Sequence, residues 1–154
     1  MRVGTLSKAA GSIGGFVVGP EVVINLLWNR ARPQFFSTAM PEAAAAASLA
    51  ALDIFQREPQ RRQLLLEESH RLRTALQSQG WSVPDDATQI VPVLLGEPQT
   101  ALECAEKLRD QGILAPPIRP PSVPVGESML RISVSYAHAG AAINRLIDAM
   151  GAVR

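Results

Sequence analysis

Apolar and polar positions follow three rhythms along the 154 residues, and each predicts a different kind of element. From 43 to 55 almost every position is alanine, leucine or another apolar residue. Pro41 fits the first position of a helix there, with Glu42 beside it at the positive end of the dipole. A helix apolar all round is expected to be buried on several sides, with Leu49, Leu52 and Phe55 as its packing face. After Pro59 the rhythm changes to amphipathic. A helix is predicted over 60–79, where Leu65, Leu72 and Leu76 recur at helical spacing and Arg61, Arg62, Glu67, Glu68, Arg71 and Arg73 line the wetter faces. Gly80 is its expected stop.

From Trp81 onward the apolar runs shorten. Strands are predicted over 81–83, 89–95 and 129–135, with amphipathic helices over 100–111, closed by Gly112, and over 139–150. Five prolines between 113 and 124 exclude a helix there and predict an extended, rigid segment. Before the alanine-rich helix, Phe16-Val17-Val18 has strand character, Gly19-Pro20 breaks it, and Pro20 opens a short helix over 21–27. The stretch 28–40 reads as irregular. The expectation is an N-terminal half made of a loop and two helices without a sheet of its own, and a C-terminal α+β half, meeting near Gly80. A glycine-rich loop so near the start has no strand visible in front of it, so that strand is expected to lie upstream.

Composition narrows the function classes. Hydrophobic residues at 47% and charged residues at 19% describe a folded domain. A net charge of +1 argues against nucleic acid or an anionic membrane as the main partner. No apolar run reaches the ~18 residues that span a bilayer. The single cysteine, Cys104, cannot form an internal disulfide and fits a reducing cytoplasm. With only two histidines and one cysteine, no metal site is expected. Thirteen of the fifteen basic residues are arginine, which leaves Lys8 and Lys107 as the only lysines.

Lys8 is the sharpest chemical candidate. A lysine amine can attack carbonyls and form Schiff bases with substrates or with pyridoxal phosphate. Thr5 and Ser7 beside it can donate to a phosphate, and Gly11, Gly14 and Gly15 allow close approach of backbone to a bound group. The bland alternative is a solvated lysine. A Walker A loop is excluded, because there the lysine follows the glycines and here it precedes them. The remaining candidates read as structural: His70 as solvated, His138 as a helix-start residue, Cys104 as a core thiol, Trp28 and Trp81 as packing anchors.

Gly4-Thr5-Leu6-Ser7-Lys8-Ala9 with Gly11-Ser12-Ile13-Gly14-Gly15-Phe16 resembles the cofactor-lysine segment of the α-oxoamine synthases. These are pyridoxal-phosphate enzymes of the aspartate aminotransferase fold that condense an amino acid with an acyl thioester and lose CO2. Arg32-Pro33-Gln34-Phe35-Phe36-Ser37-Thr38-Ala39-Met40-Pro41 is similar to the family's loop whose Ser-Thr pair reaches the partner subunit's cofactor. Ile118-Arg119-Pro120-Pro121-Ser122-Val123-Pro124 with Leu130-Arg131-Ile132-Ser133 resembles its C-terminal signature. Three motifs in order cover nearly the whole chain.

The resemblance implies roles residue by residue. Lys8 would hold pyridoxal phosphate covalently and act as acid/base at the substrate Cα. Thr5 would touch the cofactor phosphate, and Ser37 and Thr38 would do so across a homodimer interface. Ser122 would contact substrate and Arg131 would grip its carboxylate. Residues 1–40 would then be the tail of a large cofactor-binding domain, 41–79 connecting helices, and 80–154 a small α+β domain. The fold class implied is α/β, the C-terminal part of a fold-type I transferase with most of the large-domain sheet missing. The family's ring-stacking residue and its pyridine-nitrogen carboxylate have no counterpart in this sequence. The chain is therefore expected to be an incomplete portion without synthase activity of its own. Within the family, the Arg-Pro-Pro-Ser-Val-Pro run points to a member using L-alanine and a pimeloyl thioester, although other members share the lysine segment. From a different class, a non-catalytic module binding a full-length partner stays open.

Overall fold

The chain begins with a strand. β1 (Arg2–Thr5) pairs antiparallel with β2 (Gly15–Val18), in the register Arg2↔Val18, Val3↔Val17, Gly4↔Phe16 and Thr5↔Gly15. The glycine-rich loop is thus held between two strands of this chain, which corrects the expectation that its leading strand lies upstream. It also corrects the expectation of an N-terminal half without a sheet. Four residues interrupted by glycine carry little alternation to read. In the structure, however, Gly4 makes the pairing possible, because the Phe16 ring occupies the space that a Cβ there would take.

All residues 1–154 are described in this computed structural model, and they form two units, Met1–Pro59 and Gln60–Arg154. The division falls one helix earlier than the boundary read at Gly80. In the first unit the β1–β2 hairpin is followed by α1 (Glu21–Arg30), α2 (Arg32–Phe36) and α3 (Glu42–Arg57). The segment 28–40 is therefore partly helical, because Pro33 falls in the first turn of α2, where its missing N–H costs nothing. The alanine-rich helix departs from its expected burial: Leu49 and Leu52 are exposed, and Ser48 is its one buried residue. Trp28 is likewise 58% exposed and anchors no core.

The second unit contains α4 (Gln60–Ser78), β3 (Ile90–Gly96), α5 (Pro98–Asp110), β4 (Pro117–Ile118), β5 (Ser128–Ser133) and α6 (Ala141–Val153). Its sheet is antiparallel in the order β3-β5-β4, with Val93↔Leu130 and Val91↔Ile132 facing across the centre. Leu72 and Leu76 of α4, Leu108 of α5, and Ile143 and Met150 of α6 close over Val91, Val93, Leu130 and Ile132. This is why α4 belongs with the sheet rather than with the alanine-rich helix. Two helices end in the same way. Gly80 (φ 85°) and Gly112 (φ 73°) take the left-handed conformation that a Schellman ending requires. Trp81 N–H then bonds Leu76 O (3.0 Å), and Ile113 N–H bonds Leu108 O (2.9 Å). No helix is long and apolar enough to cross a membrane.

Arg73 is not on a wet face: it is 2% exposed and donates to the carbonyls of Thr88 (3.2 Å) and Ile90 (2.8 Å). Its guanidinium holds the chain leading into β3, using donors on a stem long enough to cross the packed layer. Arg71 bonds both Glu68 (2.7 Å) and Asn144 of α6 (2.8 Å), and Glu68 also accepts Gly140 N–H (3.2 Å). This cluster ties α4 to the start of α6. The Arg71 hydrogen bond, with help from Gly140 N–H, holds the Glu68 carboxyl below its ordinary value.

Two outcomes follow for stability. Leu76→Ala leaves a cavity in the centre of the second unit and should cost about 3 kcal/mol in urea unfolding followed by circular dichroism. Because the Glu68 pKa is depressed on folding, its contribution is present above the ordinary carboxylate range and lost as pH falls through the folded value. Acid titration of thermal stability should therefore drop less steeply in Glu68→Gln than in the parent chain.

Candidate active site

The loop between β1 and β2 is built by short-range hydrogen bonds. Leu6 N–H donates to Gly14 O (2.9 Å), Ser12 N–H to Leu6 O (3.0 Å), and Gly11 N–H to Lys8 O (3.0 Å). These bonds turn the chain tightly around Lys8, whose side chain is exposed. Thr5 and Ser7 stand together before it. Their hydroxyls are 2.7 Å apart, Ser7 N–H donates to Thr5 Oγ1 (3.1 Å), and Thr5 Oγ1 donates to Gly14 O (3.3 Å). Gly11 (φ 60°) and Gly14 (φ 102°) take conformations that side-chain-bearing residues avoid, so the glycines are required by the turn itself.

Ser37 and Thr38 follow α2 directly, and the Ser37 hydroxyl donates back to the carbonyl of Pro33. With Ile13, Gly14, Gly15 and Met40 they line a cleft of about 480 Å³. The structure therefore brings the Ser-Thr pair to the second half of the lysine loop. Thr5 and Lys8 do not line that cleft.

Ser122 and Arg131 lie in the second unit. Arg131 sits at the centre of the sheet on β5, with its neighbours Leu130 and Ile132 buried, so alternation sends its own side chain to the open face. Pro92 is its cross-strand neighbour, and the Arg131 backbone N–H donates to Pro116 O (3.0 Å). Its guanidinium makes no ion pair within the chain. Ser122 is exposed in the loop joining β4 to β5, and its N–H is held by Arg119 O (3.0 Å). No hydrogen bond joins Ser122 to Arg131.

The other polar candidates take structural places. His138 lies in a short 3-10 turn (Tyr136–His138), where its Nδ1 accepts Ser135 N–H (3.1 Å), as a helix-start residue does. Cys104 is buried in the core, and burial pushes its thiol up against a smaller opposing pull from Lys107, which makes it a poor nucleophile. The bond from Thr5 to Gly14, nine residues away, was not legible in the sequence, because it depends on the hairpin register.

A clustered pair of hydroxyls beside an exposed primary amine, on a loop tightened by glycine, is a donor set suited to a phosphorylated aldehyde. Hydroxyls donate to phosphate oxygens, and the amine can add to the carbonyl carbon. The residues present fit pyridoxal phosphate.

Residues 1–150 match the family of aminotransferases of class I and II, and the chain belongs to that family. It is 44% identical to the 8-amino-7-oxononanoate synthase of Cellvibrio japonicus over 151 residues, which is 98% of this chain and 38% of that protein. It is 42% identical to 8-amino-7-oxononanoate synthase 2 of Bacillus subtilis over 146 residues, 95% of this chain and again 38% of the relative. Among solved structures, SPT with PLP superposes with a TM-score of 0.92 at 27% identity, covering 98% of this chain and 38% of that one. The chain thus spans about 38% of the length of the curated relatives it matches.

Proposed function

We propose that this chain supplies the cofactor lysine and the substrate arginine of an 8-amino-7-oxononanoate synthase. The reaction would be decarboxylative condensation of L-alanine with a pimeloyl thioester, in biotin biosynthesis. The observation that carries the reading is the Lys8 hairpin, with its two hydroxyls and glycine turn, on a chain more than 40% identical to synthases along nearly its whole length. The chain length shared with those relatives covers only part of them, so the missing ring-stacking and carboxylate groups would have to come from outside these residues.

In this reading Lys8 Nζ would hold the cofactor through its aldehyde group and, once free, would carry a proton to or from the substrate Cα. When bound, pyridoxal phosphate supplies an electron sink for the pair left at Cα. Thr5, with Ser7 behind it, would donate toward the phosphate by turning its hydrogen away from Gly14 O. Ser37 and Thr38 serve the phosphate of a partner subunit in a homodimer. Arg131, fixed by the buried residues on either side of it, clamps the substrate carboxylate with two parallel N–H donors and so fixes which bond at Cα is broken. Ser122 contacts the substrate from the loop before β5. The single buried thiol accords with a reducing cytoplasm.

Titrating the pyridoxal-phosphate-loaded chain with alanine, glycine and serine tests substrate choice by the change in cofactor absorbance. Alanine should bind most tightly, and Arg131→Ala should weaken it by about 30-fold, the loss expected for a charge-assisted pair. A glycine preference would move the assignment to another α-oxoamine synthase, and an unchanged alanine affinity in Arg131→Ala would remove the clamp.

A further inference from the structure

One side chain outside the three family motifs' polar residues touches the lysine loop at its least replaceable point. Gly14 has φ 102°, and the terminal methyl of Met40 fills the space where a Cβ on Gly14 would stand. The carbonyl of the same glycine receives both Leu6 N–H (2.9 Å) and Thr5 Oγ1–H (3.3 Å). Met40 is itself held from behind. Pro41 O accepts the N–H groups of Ala44 (3.0 Å) and Ala45 (3.1 Å), which fixes the start of α3 directly after Met40. Ser12 Oγ donates to Ala44 O (2.7 Å), binding the glycine loop to that same turn. Gly14 is therefore clasped between Met40 on one side and the Thr5–Leu6 segment on the other.

Resting on the cofactor reading above, we propose that Met40 is a positioning residue for the phosphate-binding hydroxyl of Thr5. A phosphate oxygen is an acceptor only, so Thr5 or Ser7 must turn a hydrogen toward it. Thr5 Oγ1 is already tied to Ser7 Oγ and Ser7 N–H, and its bond to Gly14 O is the longest of the three. The single hydrogen of Thr5 must leave Gly14 O to reach a phosphate, and the same carbonyl, still holding Leu6 N–H, then fixes the strand end that carries the hydroxyl. A glycine with φ 102° has no side chain of its own to hold it, and the unbranched thioether of methionine is suited to filling the irregular gap above it. Met40 also lies two residues after Thr38, so it joins the Ser-Thr segment to the lysine loop mechanically. The lysine itself depends on Met40 only through the turn, since its bond to the cofactor needs no phosphate.

The contrast between pyridoxal phosphate and pyridoxal, which has the aldehyde but no phosphate, separates these roles. Dissociation constants for both would be measured by absorbance titration of the 154-residue chain and of Met40→Ala, Met40→Leu and Lys8→Ala. Met40→Ala should bind pyridoxal phosphate about tenfold more weakly, the loss of one hydrogen bond to a charged group, with pyridoxal unchanged. Met40→Leu should restore most of the loss by refilling the gap. Equal weakening of both ligands in Met40→Ala, or no weakening of either, would overturn the positioning role while leaving the cofactor site standing. Retention of both affinities in Lys8→Ala would instead overturn the cofactor reading, and the role of Met40 with it.

Discussion

Antiparallel pairing of Arg2–Thr5 with Gly15–Val18 sets the geometry on which the candidate chemistry depends. The register places Thr5 opposite Gly15, so the nine residues between them must close as a single tight loop. Closure brings the Gly14 carbonyl back onto Leu6 and Thr5 and leaves Lys8 at the exposed bend. Shifting the pairing by one residue would turn Thr5 to the other face of the strand and separate its hydroxyl from that carbonyl. Gly4 secures the register from the strand side, since only a residue without Cβ leaves room for the Phe16 ring.

The second unit solves a different problem by different means. Its sheet covers one face with α4, α5 and α6 and leaves the other open, which is how an antiparallel sheet presents a charged side chain without burying it. Arg131 sits on that open face with its neighbours Leu130 and Ile132 locked into the core. Those neighbours fix the backbone from which the guanidinium projects, and a planar fork of donors is the geometry that suits bidentate contact with a carboxylate. The buried guanidinium of Arg73 works in the opposite sense, organising the entry to β3 from inside the packed layer.

Much of the second unit was legible in the sequence because its helices carry their own punctuation. The leucines of α4 and the glycines at 80 and 112 act through local geometry, and the structure keeps both Schellman endings. β1 was not legible, since two apolar-polar steps broken by Gly4 give too little alternation, and only the partner strand makes it a strand. The helix at 32–36 was hidden by a proline that reads as a breaker unless its position in the first turn is known. Arg73 was misplaced for a physical reason as well, because helical spacing counts an arginine as polar and cannot see two carbonyls waiting at the end of its stem. In the candidate site, residue types were legible from the motifs. The contacts that orient them, Thr5 to Gly14 and Gly14 to Met40, join segments that only the folded hairpin brings together.

The central claim is that Lys8, one of only two lysines, is the residue built to hold an aldehyde cofactor. Borohydride reduction of the chain with pyridoxal phosphate, followed by peptide mass mapping, tests it directly. A covalent label is expected on the peptide containing Lys8 and none on the α5 peptide containing Lys107. Equal labelling of both lysines, or labelling of Lys107 alone, would contradict it.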